Sequence, residues 1–273
     1  MSFKISLAGD LGSGKSTVSK IIIARTEAEY YSTGTVCRKM AAEHGMTIDE
    51  FNRYMETHPE IDHEIDDGIR RLSEDPRTLI IDSRMAWHFT KGTFKVYLST
   101  DIETSALRIM SSNRTGEHAA TLQETIAETR ARRASEKKRY FEQYGVDIMN
   151  LSNYDVVIDT TYATPDEVAE AILHSFALWQ QGELSYSAYL SPERLLYPED
   201  AMSDELSAAY AAELDLGGAI PTVRVTEREG SFYVVDGAPA AMAYALNACT
   251  YVPAQLCEDA PCACDYIEMK NSL

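Results

Sequence analysis

Residues 9–16 read Gly9-Asp10-Leu11-Gly12-Ser13-Gly14-Lys15-Ser16. It fits the pattern G-x-x-x-x-G-K-[ST] at every fixed position. A strand-type apolar run at residues 3–8 comes before it, and an apolar, helix-compatible run at residues 18–24 comes after it. A strand, a glycine-rich turn and a helix in this order open a βαβ unit. The sequence therefore predicts a phosphate-binding loop, or P-loop, between the first strand and the first helix.

The residue types of this loop suit a nucleoside triphosphate and a magnesium ion. Glycines let backbone N–H groups close around phosphates, Lys15 reaches the β- and γ-phosphate oxygens, and the Ser16 hydroxyl is a ligand for Mg²⁺. We predict that the loop, extended through Thr17, binds ATP and that Lys15 is catalytic. Asp82 closes a second strand and is predicted to hold Mg²⁺ together with Ser16, with a turn or N-cap aspartate as the alternative.

Further short apolar runs at residues 78–82, 94–98 and 154–159 predict three more strands. None alternates cleanly between apolar and polar residues, as expected for parallel strands that are covered on both faces. Helical stretches lie between these runs. The predicted fold class is α/β, an open doubly wound parallel sheet with helices on both faces, over residues 1–180.

The composition excludes several classes of protein. The chain has 273 residues, of which 45% are hydrophobic and 25% charged, so it is neither disordered nor fibrous. No apolar run approaches the roughly 18 to 20 residues needed to span a membrane. The N-terminal residues do not resemble a signal peptide, and five unevenly placed cysteines do not make a secreted disulfide framework. We therefore expect a cytoplasmic protein.

The charge is strongly negative and unevenly distributed. The formal net charge is −18, and residues 181–273 carry only 4 basic but 15 acidic side chains. This shift, together with the polar residues 180–183, predicts a linker near 181–190 and two domains, 1–180 and 186–273. So acidic a chain would repel a phosphate backbone, and we do not expect it to bind DNA or RNA as a polymer.

Cations are concentrated where phosphoryl transfer would need them. Residues 130–139 read RARRASEKKR, and on a helix Arg132, Glu136 and Arg139 share one face. A solvated helix face is the alternative, but such density beside a P-loop favours a lid that closes over the γ-phosphate. Arg38 and Arg84 stand at strand-to-helix transitions, where each is either a bidentate donor to an acceptor phosphate or half of a surface ion pair. Residues 47–72 between them predict one long helical stretch.

Five motifs in order resemble the cytidylate kinase family, in particular its short archaeal-type branch, over about residues 1–175. They are GDLGSGKS (9–16), STGTVCR (32–38), HPEIDHEID (58–66), DSRMAW (82–87) and SEKKRYFEQYGVDIMNLSNYDVVIDT (135–160). The resemblance implies the reaction of ATP with CMP or dCMP to give ADP and CDP or dCDP. It also implies roles by motif position: Lys15 and the loop amides for ATP, Arg38 and Arg84 for the acceptor phosphate, Asp62 for nucleotide recognition, Arg132 and Arg139 for the lid, and Arg108 and Arg114 as further lid candidates.

Two positions depart from the family pattern. Asp10 is expected to place a carboxylate near the phosphates. Ser83 replaces the usual glycine before Arg84, which leaves the backbone less free to approach the acceptor. Two alternatives to a cytidylate kinase stay open: a P-loop kinase for another small acceptor, and a nucleotide-sensing protein with little turnover.

The C-terminal part predicts a smaller α+β domain. A helix at 201–214, a hairpin turning at Glu229-Gly230, a helix at 238–248 and a strand near 251–256 follow one another. This order weakly resembles a ParB/sulfiredoxin-like domain, but the strand–Asp236-Gly237–helix element lacks the His and Arg that such domains use. We expect a regulatory module, or one that binds a second copy or a protein partner. The C-terminal cysteines lack the C-x2-C spacing of a zinc site and are read as reduced thiols: Cys249, Cys257, Cys262 and Cys264.

Overall fold

The computed structural model describes residues 2–111, 121–261 and 264–268. The chain divides into two compact units, Met1–Asp155 and Val156–Leu273. This division lies earlier than the predicted boundary between domains 1–180 and 186–273. Among the described helices, none is both long enough and apolar enough to cross a membrane.

The first unit alternates strands and helices, as the sequence predicted. Its elements are β1 (Lys4–Gly9), α1 (Lys15–Thr26), β2 (Glu29–Ser32), α2 (Thr33–Glu43), α3 (Ile48–Met55), α4 (Pro59–Arg71), β3 (Leu79–Asp82), α5 (Ala86–Phe89), β4 (Phe94–Ser99), α6 (Ile102–Ser111) and α7 (Leu122–Tyr144). The strands pair in parallel in the order β2-β3-β1-β4. Five consecutive residues of β1 are buried, so both faces of the sheet are covered. The α/β prediction is confirmed.

Two local predictions in this unit need correction. The expected long helix over 47–72 is two helices, because Pro59 begins α4 and restricts His58 to a non-helical conformation. Strand β2 was not predicted, because its residues Glu29 and Tyr30 are exposed and the run is short. It nevertheless extends the sheet by pairing with β3.

The parallel strands bring the predicted site residues to one edge of the sheet. Leu7 pairs with Asp82 across β1 and β3, and Ser32 pairs with Asp82 across β2 and β3. The carboxyl ends of these three strands therefore lie side by side, directly before the P-loop, α2 and Arg84. Ligands of open α/β sheets bind at this edge.

The second unit is built around a mixed sheet. Its elements are β5 (Val156–Asp159), α8 (Pro165–Gln181), β6 (Ala188–Leu190), β7 (Leu195–Pro198), α9 (Asp204–Asp215), β8 (Val223–Arg228), β9 (Ser231–Asp236), α10 (Ala238–Leu246), β10 (Val252–Leu256) and β11 (Tyr266–Glu268). The strand order is β5-β6-β10-β8-β9-β7-β11. The predicted hairpin is confirmed: β8 and β9 are antiparallel around Glu229-Gly230. The likeness to a ParB/sulfiredoxin-like domain stays a prediction.

Segment 181–190 does not form the linker that its polar residues suggested. Helix α8 ends at Gln181, Gly182 follows in a left-handed conformation with φ +73°, and β6 begins at Ala188 with all its residues buried. The polar residues mark the end of a helix, because exposed helix C-termini favour such residues and glycine. Of the C-terminal cysteines, Cys249 and Cys257 are free thiols. Cys264 is disulfide-bonded, which corrects the expectation of reduced thiols there, and Cys262 lies outside the described residues.

Candidate active site

The P-loop has the backbone conformation of a phosphate cradle. Gly14 caps helix α1 with φ +82°, and a Cβ added there would meet no atom within 4 Å, so this side of Gly14 faces open space. The first N–H groups of a helix have no partner within the helix and face this space with the positive end of the helix dipole. Gly9 is required for a different reason: its φ is +135° and a Cβ would lie 2.3 Å from the carbonyl oxygen of Leu98.

Lys15 is folded back onto the loop. Its Nζ donates to the carbonyl oxygen of Gly9 at 3.1 Å, to that of Asp10 at 2.7 Å and to Oγ of Ser13 at 3.2 Å. Burial, followed by the nearby charge of Arg84, lowers the pKa of Lys15 to about 7. An anion in the loop would favour the charged form of this amine.

The carboxylate of Asp10 does not face the phosphate cradle, and this corrects the expectation from the sequence. Its Oδ1 accepts from the Tyr97 hydroxyl at 2.7 Å and pairs with Arg133, and its Oδ2 accepts from the Thr100 amide at 3.0 Å. The Asp10 amide donates to the carbonyl oxygen of Leu98 at 2.9 Å. Asp10 therefore ties the loop to β4 and α7. The Thr17 amide is also engaged, since it donates to the carbonyl oxygen of its own helix cap at 2.9 Å.

One cleft of about 470 Å³ brings most of the predicted residues together. The predicted residues that line it are Leu11, Gly12, Ser13, Gly14, Lys15, Ser16, Arg38, Asp62, Asp82, Arg84, Arg132 and Arg139. Gly9, Asp10 and Thr17 are not in its lining. Arg38 is exposed and donates to the Thr35 hydroxyl at 3.2 Å. Arg108 lies on α6 outside the lining, and Arg114 falls outside the described residues.

Glu136 links two of the predicted cations. Its Oε2 accepts from Nε of Arg84 at 2.8 Å, and its Oε1 accepts from Nε of Arg132 at 3.2 Å. Burial alone would raise the pKa of Glu136, but the charges of both arginines and the hydrogen bond from Arg84 outweigh it and bring the pKa to about 2. The carboxylate is therefore ionised throughout the physiological pH range. Sequence reasoning placed Glu136 on the right helix face but gave it no role.

Three buried polar atoms that lack a hydrogen-bond partner line the same cleft. They are Nδ2 of Asn52, Oδ2 of Asp62 and Nε of Arg139. Arg139 Nε lies 3.2 Å from Asp62 Oδ2, so the two charges are in contact although the N–H is not aimed at the oxygen. Burial raises the pKa of Asp62, and the charge of Arg139 only partly offsets it. Buried polar groups normally find partners, so the hydrogen-bonding capacity of these three side chains is not fully used within the fold.

Asn52 was not predicted, because a single polar residue on an amphipathic helix gives no signal of its own. Other cleft residues that sequence reasoning did not select are Tyr30, Asp66 and Tyr140. Asp66, one helical turn after Asp62, and Tyr140, directly after Arg139, stood in the quoted motifs but were given no role.

Comparison with known proteins decides the family. The sequence model of the cytidylate kinase-like family matches residues 4–162, which is more than half of the chain. The chain belongs to the cytidylate kinase-like family. The match spans the P-loop, helix α7 and the predicted arginines Arg38, Arg84, Arg132 and Arg139. This cytidylate kinase-like chain is thus an enzyme of the nucleoside monophosphate kinase type, as its motifs predicted.

Individual relatives agree with this assignment. Cytidylate kinase from Thermoplasma volcanium is 41% identical over 175 residues, covering 63% of this chain and 90% of that protein. Cytidylate kinase from Archaeoglobus fulgidus is 35% identical over 171 residues, covering 62% of this chain and 92% of that protein. An S-adenosylmethionine-dependent nucleotide dehydratase from Lacinutrix mariniflava is 38% identical over 177 residues, covering 64% of this chain but only 36% of that protein.

The residues of this cytidylate kinase-like chain fit a bound triphosphate and Mg²⁺. The open space at Gly14 and the amino end of α1 suit phosphate oxygens. Ser16 and Asp82, both in the cleft lining, offer one hydroxyl and one carboxylate. Within residues 2–111, 121–261 and 264–268, no group of three or more His, Cys, Asp or Glu side chains could hold a metal. Mg²⁺ usually keeps several waters and takes one or two protein oxygens plus substrate phosphates, so this sparse set is sufficient.

Proposed function

We propose that this chain transfers the γ-phosphoryl group of ATP, in the presence of Mg²⁺, to CMP or dCMP. The single observation that carries the proposal is the convergence, in one cleft, of the P-loop lysine with Arg84, the arginines of α7, and Asp62 and Asn52, each of which has a buried polar atom without a hydrogen bond. The family and its cytidylate kinase relatives support it.

In this proposal the chain acts by positioning and by neutralising charge. Lys15 and the amides of the loop bind the donor phosphates, while Arg38 and Arg84 bind the acceptor phosphate through planar, bidentate guanidinium groups. Arg132 and Arg139, on α7, neutralise charge on the phosphoryl group during its transfer and help to exclude water. Ser16 and Asp82 would hold Mg²⁺, which would supply neutralisation of the charge on the phosphates. No covalent intermediate on the protein is required.

The proposed choice of base rests on Asp62 and Asn52, each of which has a buried polar atom without a hydrogen bond. Asp62 Oδ2 is an acceptor, whereas Asn52 Nδ2 is a donor. Cytosine offers an amino donor beside ring nitrogen and carbonyl acceptors, which matches this set. Uracil presents a carbonyl where cytosine has the amino group, and that oxygen would face the Asp62 carboxylate. Two acceptor oxygens facing each other repel and make no hydrogen bond, so we propose that CMP and dCMP are preferred to UMP.

The test is coupled ADP release by the purified chain with Mg²⁺-ATP and CMP, dCMP, UMP, AMP or GMP. Selective turnover of CMP and dCMP supports the proposal. Turnover of another nucleotide instead would overturn the base assignment. If ATP binds but none of the five acceptors is phosphorylated, the cytidylate kinase assignment fails, and a different acceptor or a nucleotide-sensing role replaces it.

We also propose a role for the second unit and a cellular location for the protein. We propose that the acidic second unit regulates the kinase or binds a second copy or a protein partner, because its net negative charge argues against nucleic acid. A cytoplasmic location is proposed because the substrates are nucleotides.

A further inference from the structure

Asp82, the carboxylate proposed to hold Mg²⁺, has a neighbour to which no role is yet assigned. The hydroxyl of Tyr30 donates to Asp82 Oδ2 at 2.8 Å. Tyr30 lies on the edge strand β2, and Asp82 ends the adjacent strand β3, where it pairs in register with Ser32. Both side chains line the cleft of about 470 Å³. The contact therefore lies inside the candidate site.

Asp82 also stands within the electrostatic reach of two cations. Its charge raises the pKa of both Lys15 and Arg84, against the effect of burial on each. Within the described part of the chain, neither cation forms an ion pair with Asp82. Lys15 donates to the P-loop, and Arg84 donates to Glu136 and to the carbonyl oxygen of Gly9. Something other than charge attraction sets the orientation of the Asp82 carboxylate.

We propose that Tyr30 is a positioning residue, which holds the Asp82 carboxylate toward the Mg²⁺ site and away from direct ion pairs with Lys15 and Arg84. This inference rests on the proposed function. The hydroxyl fixes one carboxylate oxygen, Oδ2, and leaves Oδ1 and the remaining lone pairs of the group for metal-bound water. The Thr33 hydroxyl donates to the Asp82 carbonyl oxygen at 3.4 Å and restrains the backbone at the same point.

Loss of the tyrosine hydroxyl should release this carboxylate. An ionised carboxylate beside two cations in a partly buried site is strongly attracted to them, because the local dielectric is lower than that of water. In Tyr30→Phe the aromatic ring stays, but Asp82 is free to turn to Lys15 or Arg84. A carboxylate engaged in such an ion pair is a poorer ligand for the water shell of Mg²⁺.

The experiment measures metal binding directly, with Mn²⁺ as the probe. Electron paramagnetic resonance counts free Mn²⁺ as the full-length chain is titrated in the presence of a non-hydrolysable ATP analogue. We expect Tyr30→Phe to weaken Mn²⁺ binding roughly tenfold, the change produced by losing one hydrogen bond to a charged group. In turnover, the Mg²⁺ concentration needed for half-maximal rate should rise by a similar factor.

Tyr31→Phe is the matched control, because Tyr31 follows on the same strand but packs against the apolar cluster of α3 and α4. It should bind Mn²⁺ as wild type does, with thermal unfolding confirming that both variants fold. Unchanged Mn²⁺ binding in Tyr30→Phe, or equal weakening in both variants, would overturn the inference. A failure of the proposed function would be seen separately, as a wild-type chain that does not phosphorylate CMP. The Mn²⁺ titration still tests the role of Tyr30 in that case, because it needs no acceptor.

Discussion

Arg84 donates its Nε–H to Oε2 of Glu136 at 2.8 Å, and both side chains are largely buried. The contact joins the arginine just past β3 to the middle of helix α7. Glu136 also accepts from Nε of Arg132 on the same helix, so one carboxylate holds the arginine proposed for the acceptor phosphate and an arginine proposed for the lid. We propose that acceptor binding and lid position are coupled through Glu136.

Glu136→Gln should weaken this coupling without unfolding the chain. The amide keeps the shape of the side chain but loses the charge that orients Arg84 and Arg132, and hydrogen bonds to charged groups are worth about 1.5–3 kcal/mol. We expect kcat/KM for CMP to fall roughly 10- to 100-fold while ATP binding is retained. Steady-state kinetics checks this, with the exposed Glu142→Gln on the same helix as control. Equal rates for both variants would contradict the coupling.

ATP binding should take up a proton at Lys15 above neutral pH. The pKa of Lys15 is lowered to about 7 in the free chain, so the amine is mostly neutral at pH 8, and triphosphate in the loop favours its charged form. Below pH 6 the amine is already charged and uptake should vanish. Calorimetric titration of ATP in two buffers of different ionisation enthalpy measures the uptake. Proton release at pH 8, or the same uptake in Lys15→Ala, would refute this account.

Features that depend on residues close together in the sequence could be predicted from it. The P-loop, its strand and its helix are contiguous, and the shared face of Arg132, Glu136 and Arg139 follows from helix periodicity. The roles of single side chains depend on distant partners instead. Arg84 and Glu136 are 52 positions apart, and no local pattern pairs them.

Two further misses have the same cause. Asp10 sits within a phosphate-binding motif, yet its carboxylate turns to Tyr97 and Arg133, which come from β4 and α7. The edge strand β2 has no apolar alternation, so its hydroxyl contact with Asp82 could not be foreseen. The orientation of the Asp10 carboxylate and the position of β2 both depend on contacts between residues far apart in the sequence.

Asp62→Asn should relax the choice of base. The amide can turn either its oxygen or its nitrogen toward the base, so it can pair with the cytosine amino group or with the uracil carbonyl. We expect the ratio of kcat/KM for CMP over UMP to fall by about 10-fold or more, the range for one mispaired buried polar group. Parallel kinetics with both nucleotides measures this ratio. A ratio equal to that of wild type would remove Asp62 from base recognition.

Arg194→Met should destabilise the second unit. Arg194 donates to the Thr161 hydroxyl at 3.1 Å and lies 3.9 Å from the fully buried Asp159, which would lose its counter-charge. Removing one partner of a buried ion pair costs about 3–5 kcal/mol of unfolding free energy. Urea unfolding followed by tryptophan fluorescence and circular dichroism checks this value. Arg228→Met, an exposed arginine bound to backbone carbonyls, is the control and should change stability by less than about 1 kcal/mol. Equal destabilisation by both variants would argue against a special role for Arg194.

We propose that the cleft lined by the P-loop, Arg84 and the arginines of α7 transfers phosphoryl groups to CMP. The most direct measurement is a single turnover with [γ-³²P]ATP and CMP, comparing wild type with Lys15→Ala. The account predicts labelled CDP from wild type and almost none from Lys15→Ala, which should still bind CMP because its arginines are intact. Labelled CDP formed by Lys15→Ala at the wild-type rate, or no labelled CDP from wild type that binds both nucleotides, would contradict it.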